Sequence, residues 1–363
     1  MSLSLYLHIP FCTRLCPFCH FYRVPGIPDW KVYLNALAGE LDALEIPGES
    51  SVYTFYVGGG TPTLLPPEFY RSFFEELEKR FNLANLAEAT IETNGEVSHE
   101  KLTGYARAGF DRVSLGVKSF DPRVREILGA GPLPAEDPVA AVRSAGFPSV
   151  GLDLLYGIEG QGMEDLAREI ERAVYSDPDH ISLYMLEGAE SGPPRESAPD
   201  LAAAMFRESA RMLYAAGYRQ YEITNFSRPG EESLHNTVYW KDGDFIGLGP
   251  SAHSSVTVDG IRVRWRNKPD IDAYLEDPDG CREELSREEG MDRAREALIL
   301  GLRMTGGVHR PSFFQRYGYD PMKLLKPHLA ELTELGLVRS SASKIRLTTR
   351  GMLFSNEVFM KIL

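Results

Sequence analysis

The sequence has no apolar run of the roughly 18–20 residues that a helix needs to cross a bilayer, so we expect no stable membrane insertion. Residues 1–10 also lack the basic start and the small-residue cleavage site of a signal peptide, and they read as a first strand instead. We therefore expect the protein to work in the cytoplasm.

Basic residues are in the minority, with 39 Lys and Arg against 52 Asp and Glu and a formal net charge of −13. Nucleic-acid binding depends on clustered Lys and Arg side chains that neutralise phosphates. The composition therefore argues against a nucleic-acid partner and leaves a small-molecule ligand as the expectation.

Cysteine is also scarce, with four residues in 363, yet three of them stand close together as Cys12, Cys16 and Cys19. Disulfides are rare in the cytoplasm, where clustered thiols are more often metal ligands or redox groups. The spacing C-x₃-C-x₂-C allows one short loop to bind three irons of a [4Fe-4S] cluster. The fourth iron would then be open to chelation by the amino and carboxylate groups of S-adenosylmethionine (SAM). Reduction of such a cluster can cleave SAM to a 5′-deoxyadenosyl radical.

Three other interpretations of this loop remain at this point. A structural zinc site normally has four protein ligands, and the distant Cys281 is not a local candidate for the fourth. Cys16-Pro-Phe-Cys19-His20 matches the C-x-x-C-H attachment pattern of c-type haem, although such attachment normally requires export. A purely structural cluster of buried thiols is the third interpretation.

Short apolar or β-branched segments alternate with helical segments through the first half of the chain, which indicates an α/β fold with right-handed βαβ units and a parallel sheet. The predicted strands are residues 3–9, 52–57, 89–93, 112–117, 150–155 and 180–186. This pattern alone is compatible with a closed barrel, an open doubly wound sheet or a partial barrel.

Four polar motifs lie at or near the carboxyl ends of predicted strands, where functional groups collect in parallel α/β proteins. They are the cysteine loop, the segment Gly58-Gly59-Gly60-Thr61, the residue Glu92 and the residue Asp153. Taken singly, the glycines can form an ordinary tight turn and Glu92 can be a solvated charge at a helix start. Asp153 lies in an apolar strand, where a buried carboxylate needs partners. Together they predict one shared site.

The chain divides into three predicted domains. Residues 1–190 would form the α/β unit, and residues 191–287 a Gly- and aromatic-rich extension with the segment HNTVYW at 235–240. Residues 288–363 would form a smaller, mostly helical domain, in which two helices and a hairpin are typical of a winged-helix-like module.

These motifs together resemble the radical SAM family of oxygen-independent coproporphyrinogen III oxidase (HemN) and the heme chaperone HemW. The segments that carry the resemblance are YLHIPFC at 6–12, CPFC at 16–19, GGGTPT at 58–63, GVKSF at 116–120, DLLYG at 153–157, HNTVYW at 235–240 and GLGPSAH at 247–253. They extend over essentially the whole chain.

The resemblance implies a partial (β/α)6 barrel with a helical C-terminal domain, and a [4Fe-4S] cluster and SAM as cofactors. The residues that it assigns to the SAM and cluster site are Tyr6, Phe18, Gly58, Gly59, Gly60, Thr61, Glu92 and Asp153, beside the ligands Cys12, Cys16 and Cys19. Two positions depart from the family pattern, since Lys118 replaces a glutamine and Ala130 an arginine. Lys118 either supplies the missing positive charge or alters SAM binding.

The resemblance is closest to the HemW branch, because Phe21 stands where coproporphyrinogen oxidases carry a further cysteine. Imidazole is a natural heme ligand, so His235 is a candidate heme contact. The alternative is that His235 starts a helix while Tyr239 and Trp240 are core residues.

We therefore expect a SAM-cleaving enzyme with heme chaperone-like function that receives electrons from a reductant such as flavodoxin or ferredoxin. The alternative function is a radical methyltransferase or cyclopropanase that binds a second SAM. Coproporphyrinogen III dehydrogenase activity is disfavoured, and the sequence assigns no catalytic residue.

Overall fold

The structure is a computed structural model that describes residues 2–26, 29–45, 50–131, 133, 137–187 and 194–363. The predicted domain boundary at residue 190 lies outside these ranges. Within the described residues, no helix has the length and apolar character needed to cross a membrane.

Strands and helices alternate through the first half of the chain, as the sequence pattern predicts. The strands are β1 (Ser2–Ile9), β2 (Phe11–Cys12), β3 (Val24–Pro25), β4 (Ser51–Gly59), β5 (Glu88–Thr93), β6 (Arg112–Lys118), β7 (Ser149–Tyr156) and β8 (His180–Met185). The helices are α1 (Trp30–Ala43), α2 (Pro67–Glu78), α3 (His99–Ala108), α4 (Pro122–Ile127), α5 (Pro138–Ser144) and α6 (Met163–Tyr175), with a short 3₁₀ turn at Pro62–Leu64.

The middle of the chain adds further strands to the same sheet. Its strands are β9 (Arg219–Gln220), β10 (Asn225–Ser227), β11 (Phe245–Leu248), β12 (His253–Val258), β13 (Ile261–Asn267) and β14 (Arg282–Glu288). Its helices are α7 (Pro199–Ala215), α8 (Leu234–Trp240) and α9 (Ile271–Glu276).

The described strands of these two parts form one sheet in the order β14-β13-β12-β11-β1-β4-β5-β6-β7-β8-β10-β9. The seven strands from β11 to β8 in this order run parallel to their neighbours. The outer strands pair antiparallel, and β14 and β9 stand at the two ends of the sheet without pairing to each other. The fold is therefore an open, partial barrel, and its six βα units confirm the predicted (β/α)6 arrangement.

Alternation along β1 gives the sheet two different faces. Leu3, Leu5 and Leu7 are almost completely buried and pack in the main hydrophobic core. Because successive side chains of a strand point to opposite sides, Tyr6 and its polar neighbours Ser4 and His8 lie on the other face. The inner face of the partial barrel is consequently lined by polar groups.

Residues 219–227 form a short hairpin next to β8 in the sheet. β9 and β10 pair antiparallel with each other. Between them, the buried Glu222 carboxylate accepts hydrogen bonds from the backbone N–H and the hydroxyl of Thr224, at 2.9 and 2.7 Å. These local bonds turn the chain and end the first strand.

The C-terminal part has a core of its own, built from residues such as Leu298, Leu302 and Ile345. Its helices are α10 (Gly290–Arg303), α11 (Arg310–Tyr317), α12 (Pro321–Leu324), α13 (Leu329–Glu334), α14 (Thr349–Leu353) and α15 (Ser355–Met360). Its strands β15 (Val308–His309), β16 (Val338–Ser340) and β17 (Lys344–Leu347) form a small sheet in the order β15-β17-β16. The predicted hairpin is present as β16 and β17.

Residues 322–335 do not form one continuous helix, because the chain breaks between α12 and α13. Pro327 lies in this gap, and a proline inside a helix removes one hydrogen bond and clashes with the preceding turn.

Asp242 joins the C-terminal part to the sheet. Its carboxylate pairs with the buried Arg262 of β13 at 2.7 Å and accepts a hydrogen bond from the Tyr317 hydroxyl at 2.8 Å. Its carbonyl oxygen accepts from Arg316 at 2.6 Å. Asp242 follows α8 closely, so the C-terminal part is anchored beside the end of that helix.

Glu40 of α1 is a second buried anchor, which binds the segment after β11. Its carboxylate accepts from the Gly249 N–H at 2.9 Å, from the Asn267 amide at 2.6 Å and from the Tyr274 hydroxyl. Burial raises the pKa of Glu40 to about 7, although these three donors oppose the shift.

We predict that Glu40→Ala lowers the free energy of unfolding by about 1–3 kcal/mol, because it leaves buried donors without an acceptor. The folded-state pKa lies above that of an unfolded carboxyl, so the folded state binds the extra proton and Glu40 contributes most stability at acid pH. The gap between wild type and variant should therefore be larger at pH 5 than at pH 8 in urea unfolding. A gap that widens with rising pH would contradict this.

Candidate functional site

One cavity of about 1060 Å³, including its open mouth, lies at the carboxyl ends of the parallel strands. The residues from the predicted site that line it are Cys12, Cys16, Phe18, Cys19, Gly59, Gly60, Thr61, Glu92, Lys118 and Asp153. The cavity also borders Ala130, Arg14 and Glu96. The parallel register brings the ends of β1, β4, β5, β6 and β7 to one edge, which explains why residues so distant in sequence meet here.

The cysteine loop is held in shape by Arg23. Its guanidinium donates to the Cys16 carbonyl at 2.6 Å and also to the carbonyls of Cys19 and Phe21. All four cysteines of the chain are free thiols. Burial raises the pKa of the Cys12 thiol, while the Thr61 hydroxyl, 3.7 Å from its sulfur, favours the thiolate.

The glycine segment after β4 is fastened to the start of this loop. The Gly60 N–H donates to the Ile9 carbonyl at 2.7 Å, and the Thr61 N–H donates to the Phe11 carbonyl at 2.8 Å. A Cβ atom on Gly60 would lie 2.6 Å from the Phe11 carbonyl oxygen and 3.0 Å from the Cys12 sulfur. Glycine is therefore required here by the close approach of two backbone segments.

Glu92 stands behind the glycine segment. Its carboxylate accepts from the Tyr56 hydroxyl at 2.7 Å and from the Gly59 N–H at 3.3 Å. A Cβ atom on Gly58 would lie 2.8 Å from this carboxyl group, so glycine at position 58 leaves room for Glu92. Burial raises the pKa of Glu92 to about 7, and the negative charge of Asp153 adds to the shift.

Asp153 occupies the far wall of the cavity. The Ser114 hydroxyl donates to its Oδ2 at 2.8 Å, whereas Oδ1 is buried and has no hydrogen-bond partner within the described ranges. Burial raises the pKa of Asp153, and the hydroxyls of Ser182 and Ser114 oppose the shift. An unpartnered buried acceptor that borders a cavity is suited to a ligand that donates a hydrogen bond.

Lys118 ends β6 with its backbone in the left-handed region, at φ 67°. This conformation costs a non-glycine residue about 1–3 kcal/mol. The strand register shifts between Leu115 and Lys118, and the side chain reaches the cysteine loop. Its Nζ lies 3.7 Å from the Cys16 sulfur and 5.9 Å from the centre of the Phe18 ring.

Tyr6 and His235 do not line the cavity. The Tyr6 hydroxyl donates to His8 Nδ1 at 3.0 Å, since His8 Nε2 must donate to the Tyr22 carbonyl. His235 is 1% exposed and stacks on Tyr56, with ring centres 5.1 Å apart.

Both ring nitrogens of His235 have partners. Because the Thr54 hydroxyl donates to Ser4, it accepts from His235 Nδ1 at 2.8 Å, and Nε2 accepts from the Tyr239 hydroxyl at 2.7 Å. Burial lowers the pKa of His235 to about 3, so the ring is neutral. His235 therefore does not contact the cavity in this structure, and its direct contact with heme stays a prediction. The arrangement agrees with the alternative of a core residue at the start of a helix.

Glu88 fixes the helix that carries His235. Its carboxylate accepts from the backbone N–H groups of Leu234 and His235 at 2.8 and 3.0 Å, at the first turn of α8. A carboxylate at a helix N-terminus satisfies free N–H groups and complements the helix dipole. Tyr56 stacks on His235 of α8 and donates a hydrogen bond to Glu92, so α8 lies directly behind Glu92.

Two parts of the chain match known protein families. Residues 6–173 match the radical SAM superfamily, and residues 290–354 match the HemN C-terminal domain. The heme chaperone HemW of Bacillus subtilis (strain 168) is 32% identical, over 98% of both chains. The chain belongs to the HemW family of radical SAM proteins.

A second HemW relative supports this membership, and a solved structure shows the fold. The heme chaperone HemW of Escherichia coli (strain K12) is 31% identical over 98% of this chain and 97% of its own. The solved structure of coproporphyrinogen III oxidase (HemN) from Escherichia coli, a radical SAM enzyme, has a TM-score of 0.84 at 24% identity, over 99% of this chain and 90% of that one. The HemN likeness confirms the predicted fold.

Membership of the radical SAM superfamily implies a [4Fe-4S] cluster and SAM as the cofactors of this HemW relative. The cavity fits them, because it joins three free thiols to an unpartnered Asp153 oxygen and to glycine backbone without side chains in the way. In the described part of the chain, no three His, Cys, Asp or Glu side chains converge on one metal position.

Arg23, Tyr56 and Arg125 are not among the predicted site residues. Arg23 holds the cysteine loop, Tyr56 joins Glu92 to α8, and Arg125 donates to the carbonyls of Val117 and Ser119 on both sides of Lys118. A signal existed only for Tyr56, which lies on the polar side of the alternation in β4.

We predict that Gly60→Ala lowers the free energy of unfolding by about 1–3 kcal/mol, because the added Cβ atom overlaps the Phe11 carbonyl oxygen. Gly306→Ala is the matched control, since its Cβ atom meets nothing within 4 Å. Urea unfolding of both variants measures the difference. Equal stability of the two variants would show that the glycine turn tolerates a side chain.

Proposed function

We propose that this protein is a heme chaperone-like radical SAM enzyme whose Cys12, Cys16 and Cys19 hold a [4Fe-4S] cluster. The observation that carries the cofactor assignment is the placement of the three free thiols, the glycine backbone and Asp153 around one cavity. When bound, the cluster and SAM supply a one-electron reductive cleavage of the sulfonium carbon–sulfur bond.

The residues of the chain bind and orient SAM in this proposal. Asp153 accepts hydrogen bonds from ribose hydroxyls through its free Oδ1, and Glu92 accepts from the SAM amino group beside the Gly59 and Gly60 backbone. Thr61 supports the cysteine loop through Cys12. Phe18 covers the cavity near Cys16 and Lys118 and keeps water from the reacting groups.

Glu92 gains its negative charge as the pH rises through about 7. A SAM amino group that donates a hydrogen bond to it would favour the charged carboxylate. Proton release from Glu92 and SAM binding are therefore linked in this assignment.

Heme is the proposed cargo or substrate, on the basis of full-length similarity to proteins named heme chaperone HemW. Electrons for the cluster would come from a reductant such as flavodoxin or ferredoxin in the cytoplasm. The four free thiols are compatible with a reducing compartment.

Cys16→Ala tests the cluster assignment. We expect the anaerobically reconstituted variant to lose the iron–sulfur absorption and to release no 5′-deoxyadenosine when dithionite and SAM are added. Cys281→Ala is the control, because Cys281 is also buried and free but does not line the cavity. A full iron and sulfide content in Cys16→Ala would refute the ligand assignment.

A heme titration tests the chaperone assignment. We expect a saturable Soret band with the reconstituted wild-type protein, and we expect it to persist in His235→Asn, since His235 is enclosed by its own hydrogen bonds. Absence of the band in wild type would overturn heme binding. Its selective loss in a folded His235→Asn protein would show instead that α8 rearranges to present this histidine.

A further inference from the structure

Lys118 is built into the wall of the cavity in a conformation that lysine rarely adopts. Its φ of 67° lies in the left-handed region, which favours glycine or asparagine. A lysine retained there, on a strand end with a shifted register, indicates that the direction of its side chain matters. An outlier of this kind is a reason to look for function at the residue.

The bend that directs Lys118 is held by two buried charged residues. The Arg125 guanidinium donates to the carbonyls of Val117 and Ser119, and it is 5% exposed. Glu169 of α6 accepts from the Ser119 hydroxyl at 2.7 Å and from the Phe120 N–H at 2.8 Å. The backbone on both sides of Lys118 is thus fixed, and the lysine cannot relax into an ordinary strand conformation without breaking these bonds.

The amine of Lys118 has one polar neighbour in the described part of the chain, the Cys16 sulfur at 3.7 Å. Its other contact is the face of the Phe18 ring, 5.9 Å from Nζ to the ring centre. Arg14, another of the cations that line this cavity, differs in both respects. Arg14 lies 3.8 Å from Glu96 and its side chain is 57% exposed, so its charge is paired and solvated.

We propose that Lys118 is a fixed cation that raises the reduction potential of the cluster bound through Cys16. This inference rests on the proposed function, since it needs a cluster on the cysteine loop. A positive charge that contacts a ligand sulfur stabilises the additional negative charge of the reduced state, and hydrogen bonds to the sulfurs act in the same direction. Lys118 would thereby set which electron donors can reduce the cluster.

The test is a redox titration of the anaerobically reconstituted full chain, followed by absorption and by the electron paramagnetic resonance signal of the reduced cluster. Lys118→Gln removes the charge and keeps the backbone strain. Lys118→Gly removes the charge and the strain together, so it protects the test against a folding defect. We expect both variants to titrate at a more negative potential than wild type, with the same iron and sulfide content.

Two controls separate the charge at Cys16 from charge in general. Lys118→Arg keeps the cation and should titrate close to wild type. Arg14→Gln removes a paired, solvated cation from the same cavity and should also leave the potential unchanged, because such charges are screened by water and salt.

A wild-type potential in Lys118→Gln or Lys118→Gly at full cluster content would overturn the proposal. Loss of the cluster from both variants, but not from Lys118→Arg, would also overturn it, because the lysine would then retain the cluster rather than tune it. Absence of any cluster in wild type is a different result, which refutes the proposed function itself.

Discussion

The need to satisfy buried polar groups on the inner face of the sheet determines much of this structure. Ser4, Thr54 and Glu88 lie on strands whose inner face is closed off from water, so each needs a hydrogen-bond partner. The helix α8 supplies partners for Thr54 through His235 and for Glu88 through its first-turn N–H groups, while Ser4 accepts from Thr54. The result is a hydrogen-bonded network that supports Tyr56, and Tyr56 in turn holds Glu92 at the cavity.

The site above this network gathers groups of opposite character. Glu92 and Asp153 carry carboxyl groups that burial makes easier to protonate, and Lys118 brings a cation to the other wall. This distribution matches a sulfur-bound metal cluster on one side of the cavity and a ligand with cationic and hydroxyl groups on the other side. Two backbone segments approach closely at Gly60, where glycine leaves the necessary room. At the end of β6, the backbone of Lys118 adopts the left-handed region.

The sequence predicts the parts of the fold that have strong local patterns. The six parallel strands follow from apolar segments between helices, and the cysteine loop and the glycine segment follow from their spacing. The break between α12 and α13 is a local feature of the chain, and Pro327 is its visible cause in the sequence. The hydrogen bonds of His235 could not be predicted for a different reason. Its neighbours Thr54 and Ser4 are distant in sequence, and only the three-dimensional packing brings them to its ring. Arg23 and Arg125 likewise act on backbone carbonyls, for which side-chain patterns give no signal.

Arg23 gives the cysteine loop a shape that does not depend on iron. Its guanidinium gathers the carbonyls of Cys16 and Cys19, so the thiols are already confined to one short arc of chain. Folding has therefore already ordered this loop, so the entropic cost of ordering it does not weaken the affinity for the cluster. A group that binds to these thiols would therefore meet a backbone that is already in place.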